Sequence, residues 1–167
     1  DRQGEVYHRY VLGLYELMER ITSAFPDVLF EGCSGGGGRF DAGFAYYMPQ
    51  IWTSDNTDAV SRLTIQYGTS LVYPISMTTA HVSAIPNHQT GRKTSFETRG
   101  NAAMSAVFGY EIDLTKMSQE DKDQVKEQVA CYKEIRKLIQ YGNFYRLKSP
   151  VETNQAAWMF VSDDKRD

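Results

Sequence analysis

Residues 28–58 read VLFEGCSGGGGRFDAGFAYYMPQIWTSDNTD, and the reading of this stretch decides the fold. A short apolar run, Val28 to Phe30, stops at Glu31-Gly32-Cys33. Four consecutive glycines follow, Gly35 to Gly38, and a second apolar run, Ile51-Trp52, stops at Thr53-Ser54-Asp55. Short apolar runs bounded by such breakers are strand signals. Glycine lacks a Cβ, so its backbone reaches positive φ and lets other atoms come close. Linker glycines have polar surroundings; these lie between a predicted strand and an aromatic-rich segment. The run is therefore either a tight strand-to-helix turn or a loop whose amides face a polar ligand. A phosphate cradle fails on spacing. Gly32 to Gly37 opens GxxxxGK[ST], but Gly38 and Arg39 stand where Lys and a hydroxyl are needed. GxGxxG fails too, because Gly35-x-Gly37 is followed by Gly38, Arg39 and Phe40.

Asp55 directly follows a strand-like run. A carboxylate at the C-terminal end of a barrel strand stands where such folds do chemistry, although an Asp at a strand end also serves as a turn residue. Asp58 is expected in the first turn of the next helix, where the dipole favours a negative charge.

Working outward, residues 5–24 read as an amphipathic helix with Tyr7, Val11, Leu14, Met18 and Ile21 on one face. Pro26 ends it. A strand over 28–31, the glycine loop, an aromatic segment Phe44 to Met48 closed by Pro49, and a strand over 50–53 come next. The spacing predicts a helix from Asp58 to Tyr67 with Val60, Leu63 and Tyr67 inward, then a third strand from Ser70 to Pro74. Residues 75–93 read as a long loop carrying His81 and His88, and loops of that length in compact domains are often functional. Thr94-x-x-Glu97 reads as a capping box opening a helix to Val107. A strand Phe108 to Asp113 follows, then Ser118-x-x-Asp121 and a helix over 119–141. Its buried face is expected at Val125, Val129, Tyr132, Ile135 and Ile139, and Gly142 caps it. From Phe144 the pattern changes to strands, Tyr145, Leu147 and then Ala156 to Val161.

Alternating strands and helices mean a parallel sheet. Four strands do not close a barrel and eight do. The fold class expected is therefore α/β, the second half of a (β/α)8 TIM barrel over 1–142. The beginning of a C-terminal β-domain, a β-sandwich, occupies 143–167. Open strand edges and an uncovered apolar face lead to the expectation that the isolated piece self-associates.

The 167 residues suit one domain with a real core, and the net charge of −3 shows no basic stripe, so nucleic acid is not an expected partner. No apolar run approaches a bilayer's width. The two cysteines, Cys33 and Cys131, make no disulfide framework and suit a reducing compartment. With neither cysteine in a CxxC, and no third ligand beside His81 and His88, no metal is expected and both histidines read as hydrogen-bonded loop residues.

FEGCSGGGGRFD, YYMPQIWTSDNTDA, RLTIQYGTSLVYP and HVSAIPNHQTGR together resemble glycoside hydrolase family 36, the bacterial-type α-galactosidases. The resemblance runs from the Arg2 segment to the Trp158 segment. Gly32 departs from it, standing where the family has serine. The resemblance implies a retaining α-galactosidase acting on terminal α-1,6-linked galactose of melibiose or raffinose-type oligosaccharides. It implies no cofactor and a cytoplasmic homo-oligomer, a tetramer. Retaining glycosidases place two carboxyl groups about 5–5.5 Å apart, one to attack and one to protonate. The resemblance assigns the proton donor, later the base, to Asp55. It assigns the galactose subsite to Cys33, Ser34, Gly35 and Gly36. The family's nucleophile is an Asp in Lys-x-Asp at the end of a barrel strand; no Lys stands at that spacing before Asp113 or any other strand-end Asp here, and the nucleophile is expected upstream of Asp1.

Other readings stay beside these. Cys33 also fits a small buried hydrophobe. Trp52 fits sugar stacking or barrel packing, and Arg39 and Asp41 fit a pair bracing the loop. A non-catalytic sugar-binding or structural half-barrel, an α-N-acetylgalactosaminidase and a galactosyl transferase remain open. A nucleotide-binding domain is disfavoured by the failed phosphate patterns.

Overall fold

A computed structural model describes residues 2–166. Four strands, β1 (Glu31–Gly32), β2 (Gln50–Trp52), β3 (Thr78–Ser83) and β4 (Val107–Glu111), lie side by side in chain order. All pairings are parallel, with Gly32 opposite Ile51, Ile51 opposite Thr78, and Thr79 opposite Val107. Parallel neighbours need crossovers. These are α2 (Ser34–Gly37) with α3 (Ala42–Tyr47), then α4 (Ala59–Thr69), then α5 (Phe96–Met104). Helix α1 (Gln3–Ala24) precedes the sheet and α6 (Gln119–Tyr141) follows it. Strands β5 (Asn143–Lys148) and β6 (Ala157–Val161) form a separate antiparallel pair. The chain is thus α/β, a four-stranded parallel sheet plus a small antiparallel pair.

Side-chain caps set the helix starts by satisfying orphan N–H groups. Asp41 accepts from Phe44 N, Asp58 from Ser61 N, Ser95 from Thr98 N and Ser118 from Asp121 N. Asp58 is therefore the cap itself rather than a first-turn residue. Ser95 caps α5 where Thr94 was expected to. Two apolar clusters flank the sheet. One gathers Ala80, Val82, Phe96, Ala103 and Ala106; the other gathers Met18, Phe44 and Ile51.

The third strand is displaced from its expected place. Leu71 and Val72 are exposed, and residues 70–73 wind down α4 through bonds such as Tyr73 N–H to Thr69 O at 3.0 Å. The real strand, TTAHVS at 78–83, lies in the expected loop 75–93. Its side chains are mostly small or polar yet almost all buried. The expected first strand also shrinks to Glu31-Gly32, leaving Val28 and Leu29 at 52% and 66% exposure. Ile139 is the buried residue of α6, and the rest of its expected apolar face is half-buried.

Helix α4 turns its polar side inward. It buries Ala59, Arg62 and Gln66, whereas Val60 is exposed. Arg62 Nη1 donates to Ser54 O at 3.0 Å, Nη2 to Thr79 O, and Nε to Gln66 Oε1 at 3.1 Å. Gln66 Nε2 passes the network on to Ala102 O at 2.9 Å and Ser105 Oγ at 3.0 Å. Burial pushes the Arg62 guanidinium down to about 10. Buried carbonyls stripped of a charged donor are costly. Arg62→Met is expected to lower unfolding free energy by roughly 3 kcal/mol, measured by chemical denaturation of the chain.

Candidate active site

A cleft of about 580 Å³ opens where the parallel strands end. β1 supplies Glu31 and, one residue past its end, Cys33. β2 supplies Trp52 at its last position and Asp55 just beyond. β3 contributes His81, and β4 contributes Tyr110 and Glu111. Thr57, His88 and Gln89 complete the wall from the loops. Side chains at these ends converge because all four strands point the same way.

The glycine run lies against Asp55. Ser34, Gly35, Gly36 and Gly37 all take positive φ, +51°, +67°, +83° and +87°, so α2 is a left-handed turn. L-residues resist that conformation and glycine does not. Gly37 N donates to Cys33 O at 2.7 Å and Gly36 N to Cys33 Sγ at 3.4 Å. These two amides are thus engaged inside the turn rather than facing outward. What the glycines supply is close approach. A Cβ on Gly36 would fall 2.7 Å from Asp55 Cγ, and one on Gly37 would fall 2.3 Å from Thr53 O. Gly32 has a similar cause: a Cβ there would meet Phe44 Cε1 at 2.2 Å, so serine would need the ring to move.

Asp55 is exposed, and Trp52 Nε1 donates to its Oδ1 at 2.9 Å. Trp52 is itself 8% exposed, packed against the Arg62 guanidinium at 4.7 Å and the His81 ring at 4.7 Å. The indole therefore packs, and its polar edge orients the carboxylate. Tyr110 donates to Gln128 Oε1 at 2.9 Å, and burial pushes its phenol up to about 12. Among the described residues no three His, Cys, Asp or Glu side chains cluster to hold a metal ion. No helix among them is long and apolar enough to cross a membrane.

His81 sits on a strand, not in a loop. Burial lowers its pKa, Glu111 and Glu31 oppose that, and Arg62 adds to it. Its folded form binds a proton less readily than the unfolded chain, so stability falls as pH drops through the ordinary histidine range near 6.5. The fall levels off below the folded value. Melting temperature is expected to decline in that window, and His81→Gln is expected to flatten the decline.

Of the residues expected to bind substrate, Cys33 lines the cleft and Gly36 touches Asp55. Ser34 and Gly35 lie beside them in the same turn, exposed and outside the lining. Arg39 and Asp41 do not brace one another. Asp41 accepts from Phe44 N and the Tyr15 hydroxyl, and Arg39 lies over Tyr10. Glu31, Thr57, Gln89, Tyr110 and Glu111 were not singled out from sequence. Glu31, Tyr110 and Glu111 lay within predicted strands and Thr57 just past one; Gln89 follows the true third strand, which was placed elsewhere.

A profile of the Melibiase family matches residues 1–142. The chain belongs to the Melibiase family. It is 74% identical over 97% of its length to Alpha-galactosidase 1 of Pediococcus pentosaceus, covering 22% of that protein. It is 67% identical over 99% of its length to Alpha-galactosidase AgaA of Geobacillus stearothermophilus, covering 23% of it. The chain thus spans under a quarter of the length of these Melibiase relatives. Solved AgaA structures superpose with a TM-score of 0.95 at 67% identity, over 98% of this chain and 23% of theirs. One is a substituted family 36 AgaA, with an aspartate changed to asparagine, in complex with raffinose. Another, with an aspartate changed to alanine, is in complex with stachyose.

Proposed function

We propose that the chain is part of a retaining α-galactosidase that removes terminal α-1,6-linked galactose from raffinose-type oligosaccharides. Residues 1–142 are the second half of its (β/α)8 barrel, and 143–167 begin a C-terminal β-domain. The end of the Melibiase match at residue 142 and the change to an antiparallel pair support that division. The observation that carries the functional reading is the placement of Asp55. It stands at the C-terminal rim of the sheet, in the cleft, oriented by an indole N–H and pressed by a glycine turn.

Asp55 is the acid that protonates the departing glycosidic oxygen and then the base that activates water. Cys33, Ser34, Gly35 and Gly36 wall the galactose subsite. The attacking carboxylate comes from an earlier strand outside this chain. In support, this chain covers only 23% of AgaA, so most of that relative's sequence has no counterpart here. The raffinose and stachyose held by those relatives support the substrate class.

The full-length enzyme is expected to hydrolyse an aryl α-galactoside, and the 167-residue chain alone is expected not to. Turnover by the isolated chain would overturn the placement of the nucleophile. It would turn attention to Glu31 or Glu111, the other carboxylates in the cleft. The isolated chain also self-associates in this reading, through the outer edges of β1 and β4, and a clean monomer in ultracentrifugation at high concentration would refute that.

A further inference from the structure

The turn that carries Asp55, residues 53–58, is fastened by side chains from elsewhere in the fold. The Ser54 carbonyl accepts from Arg62 at 3.0 Å. The next carbonyl, that of Asp55 itself, accepts from Gln89 Nε2. The same Gln89 amide accepts, through Oε1, from Thr57 N at 3.2 Å and Thr57 Oγ1 at 3.3 Å. One side chain thus donates to residue 55 and accepts from residue 57, bridging the turn.

Gln89 is held in its turn. Its N–H donates to Asn87 Oδ1 at 3.0 Å, as does that of Thr90 at 3.1 Å. Asn87 is 3% exposed, and its Nδ2 donates to Thr57 Oγ1 at 3.0 Å. Ser83 Oγ, at the end of β3, donates to Thr57 O at 3.1 Å. Arg92 pairs with Asp58, which is 1% exposed. Apart from Arg62 of α4, the side chains that hold the turn come from the end of β3 and the loop 84–92.

We propose that loop 84–92 is a clamp that positions the general acid/base, with Gln89 the positioning residue for Asp55. The inference rests on the acid/base role of Asp55. An exposed carboxylate on an unbraced turn would sample many positions. Proton transfer needs one position, within hydrogen-bond reach of the leaving oxygen. Gln89 is itself exposed, but it is anchored on the buried Asn87, Thr57 and Ser83, and a buried polar network whose members satisfy one another is rigid. Gln89 also lines the cleft, so a contact role and a positioning role must be separated by kinetics.

The test uses the full-length enzyme with Gln89→Ala, Gln89→Glu and Asp55→Asn, assayed on raffinose and on an activated aryl α-galactoside. Glutamate keeps the acceptor for Thr57 but replaces the amide that donates to the Asp55 carbonyl. Both Gln89 variants are expected to lower kcat on raffinose about 10- to 100-fold. KM is expected to hold, and the loss on the aryl substrate is expected to be several-fold smaller. A rise in KM at unchanged kcat would make Gln89 a substrate contact and overturn the clamp. An equal fall on both substrates, or full activity of Gln89→Glu, would also overturn it. Should Gln89→Ala fail to fold, Gln89→Glu decides by the same criteria. If Asp55→Asn shows the leaving-group dependence and the Gln89 variants do not, the clamp alone falls. If Asp55→Asn shows none, the acid/base reading falls and takes the clamp with it.

Discussion

Asp55→Asn in the full-length enzyme is expected to cut kcat on raffinose by about 10²- to 10⁴-fold, the usual worth of general acid–base catalysis. The size follows from the chemistry of the leaving group. A sugar alkoxide departs poorly and needs a proton as the bond breaks; an activated aryl oxide departs with little help. Asparagine keeps the shape and can still meet the Trp52 N–H through its carbonyl oxygen, so the turn keeps its geometry while losing the transferable proton. The first step on an aryl galactoside is therefore largely spared. The second step is not, because water then lacks its base. The covalent galactosyl-enzyme should accumulate, giving a burst of aryl alcohol followed by slow turnover and a low KM. Azide, which needs no base, should accelerate the slow phase. Equal losses on both substrates with no burst would assign Asp55 a structural role.

The parallel architecture was legible because hydrophobic runs alternate with helical periods, and the turn chemistry around Asp58 and Ser118 was sound to within a residue. β3 was not legible. Its sequence, TTAHVS, carries threonines and a histidine where burial on both faces usually selects apolar residues. SLVYP, with Leu71 and Val72, looks more like a strand but only finishes a helix. Hydropathy misled on α4 for a related reason. That helix buries Arg62 because the carbonyls of Ser54, just past β2, and Thr79, within β3, need donors, and Gln66 because it links Arg62 to Ala102 O and Ser105. Such a need is set by neighbours distant in sequence and leaves no periodic trace. Within the site, Asp55 was readable from its place after a strand-like run, whereas Cys33 was named only through the family resemblance. Gln89 was not, because what ties it to the site is a bond to a main-chain carbonyl 34 residues away.

The glycine turn offers the sharpest separation of backbone strain from site geometry. Gly35, Gly36 and Gly37 share the left-handed backbone, so alanine at any of them carries about 1–2 kcal/mol of conformational cost. Beyond that cost they differ. A Cβ on Gly35 meets nothing within 4 Å. A Cβ on Gly36 meets the Asp55 carboxylate, at 2.7 Å from Cγ and 2.8 Å from Oδ2. A Cβ on Gly37 meets the Thr53 carbonyl at 2.3 Å, which no side-chain rotation can relieve. Gly35→Ala is therefore expected to lower the melting temperature modestly and leave kcat/KM on raffinose within a few-fold of wild type. Gly37→Ala should be the least stable of the three. Gly36→Ala should match Gly35→Ala in stability yet lose about 100-fold in kcat/KM, the cost expected when a catalytic group is displaced by an ångström or so. The carboxylate can make room only by leaving the Trp52 N–H, and that bond is what orients it in the cleft. If Gly35→Ala and Gly36→Ala lose activity equally, the turn acts through its backbone alone, and its contact with Asp55 carries no catalytic weight.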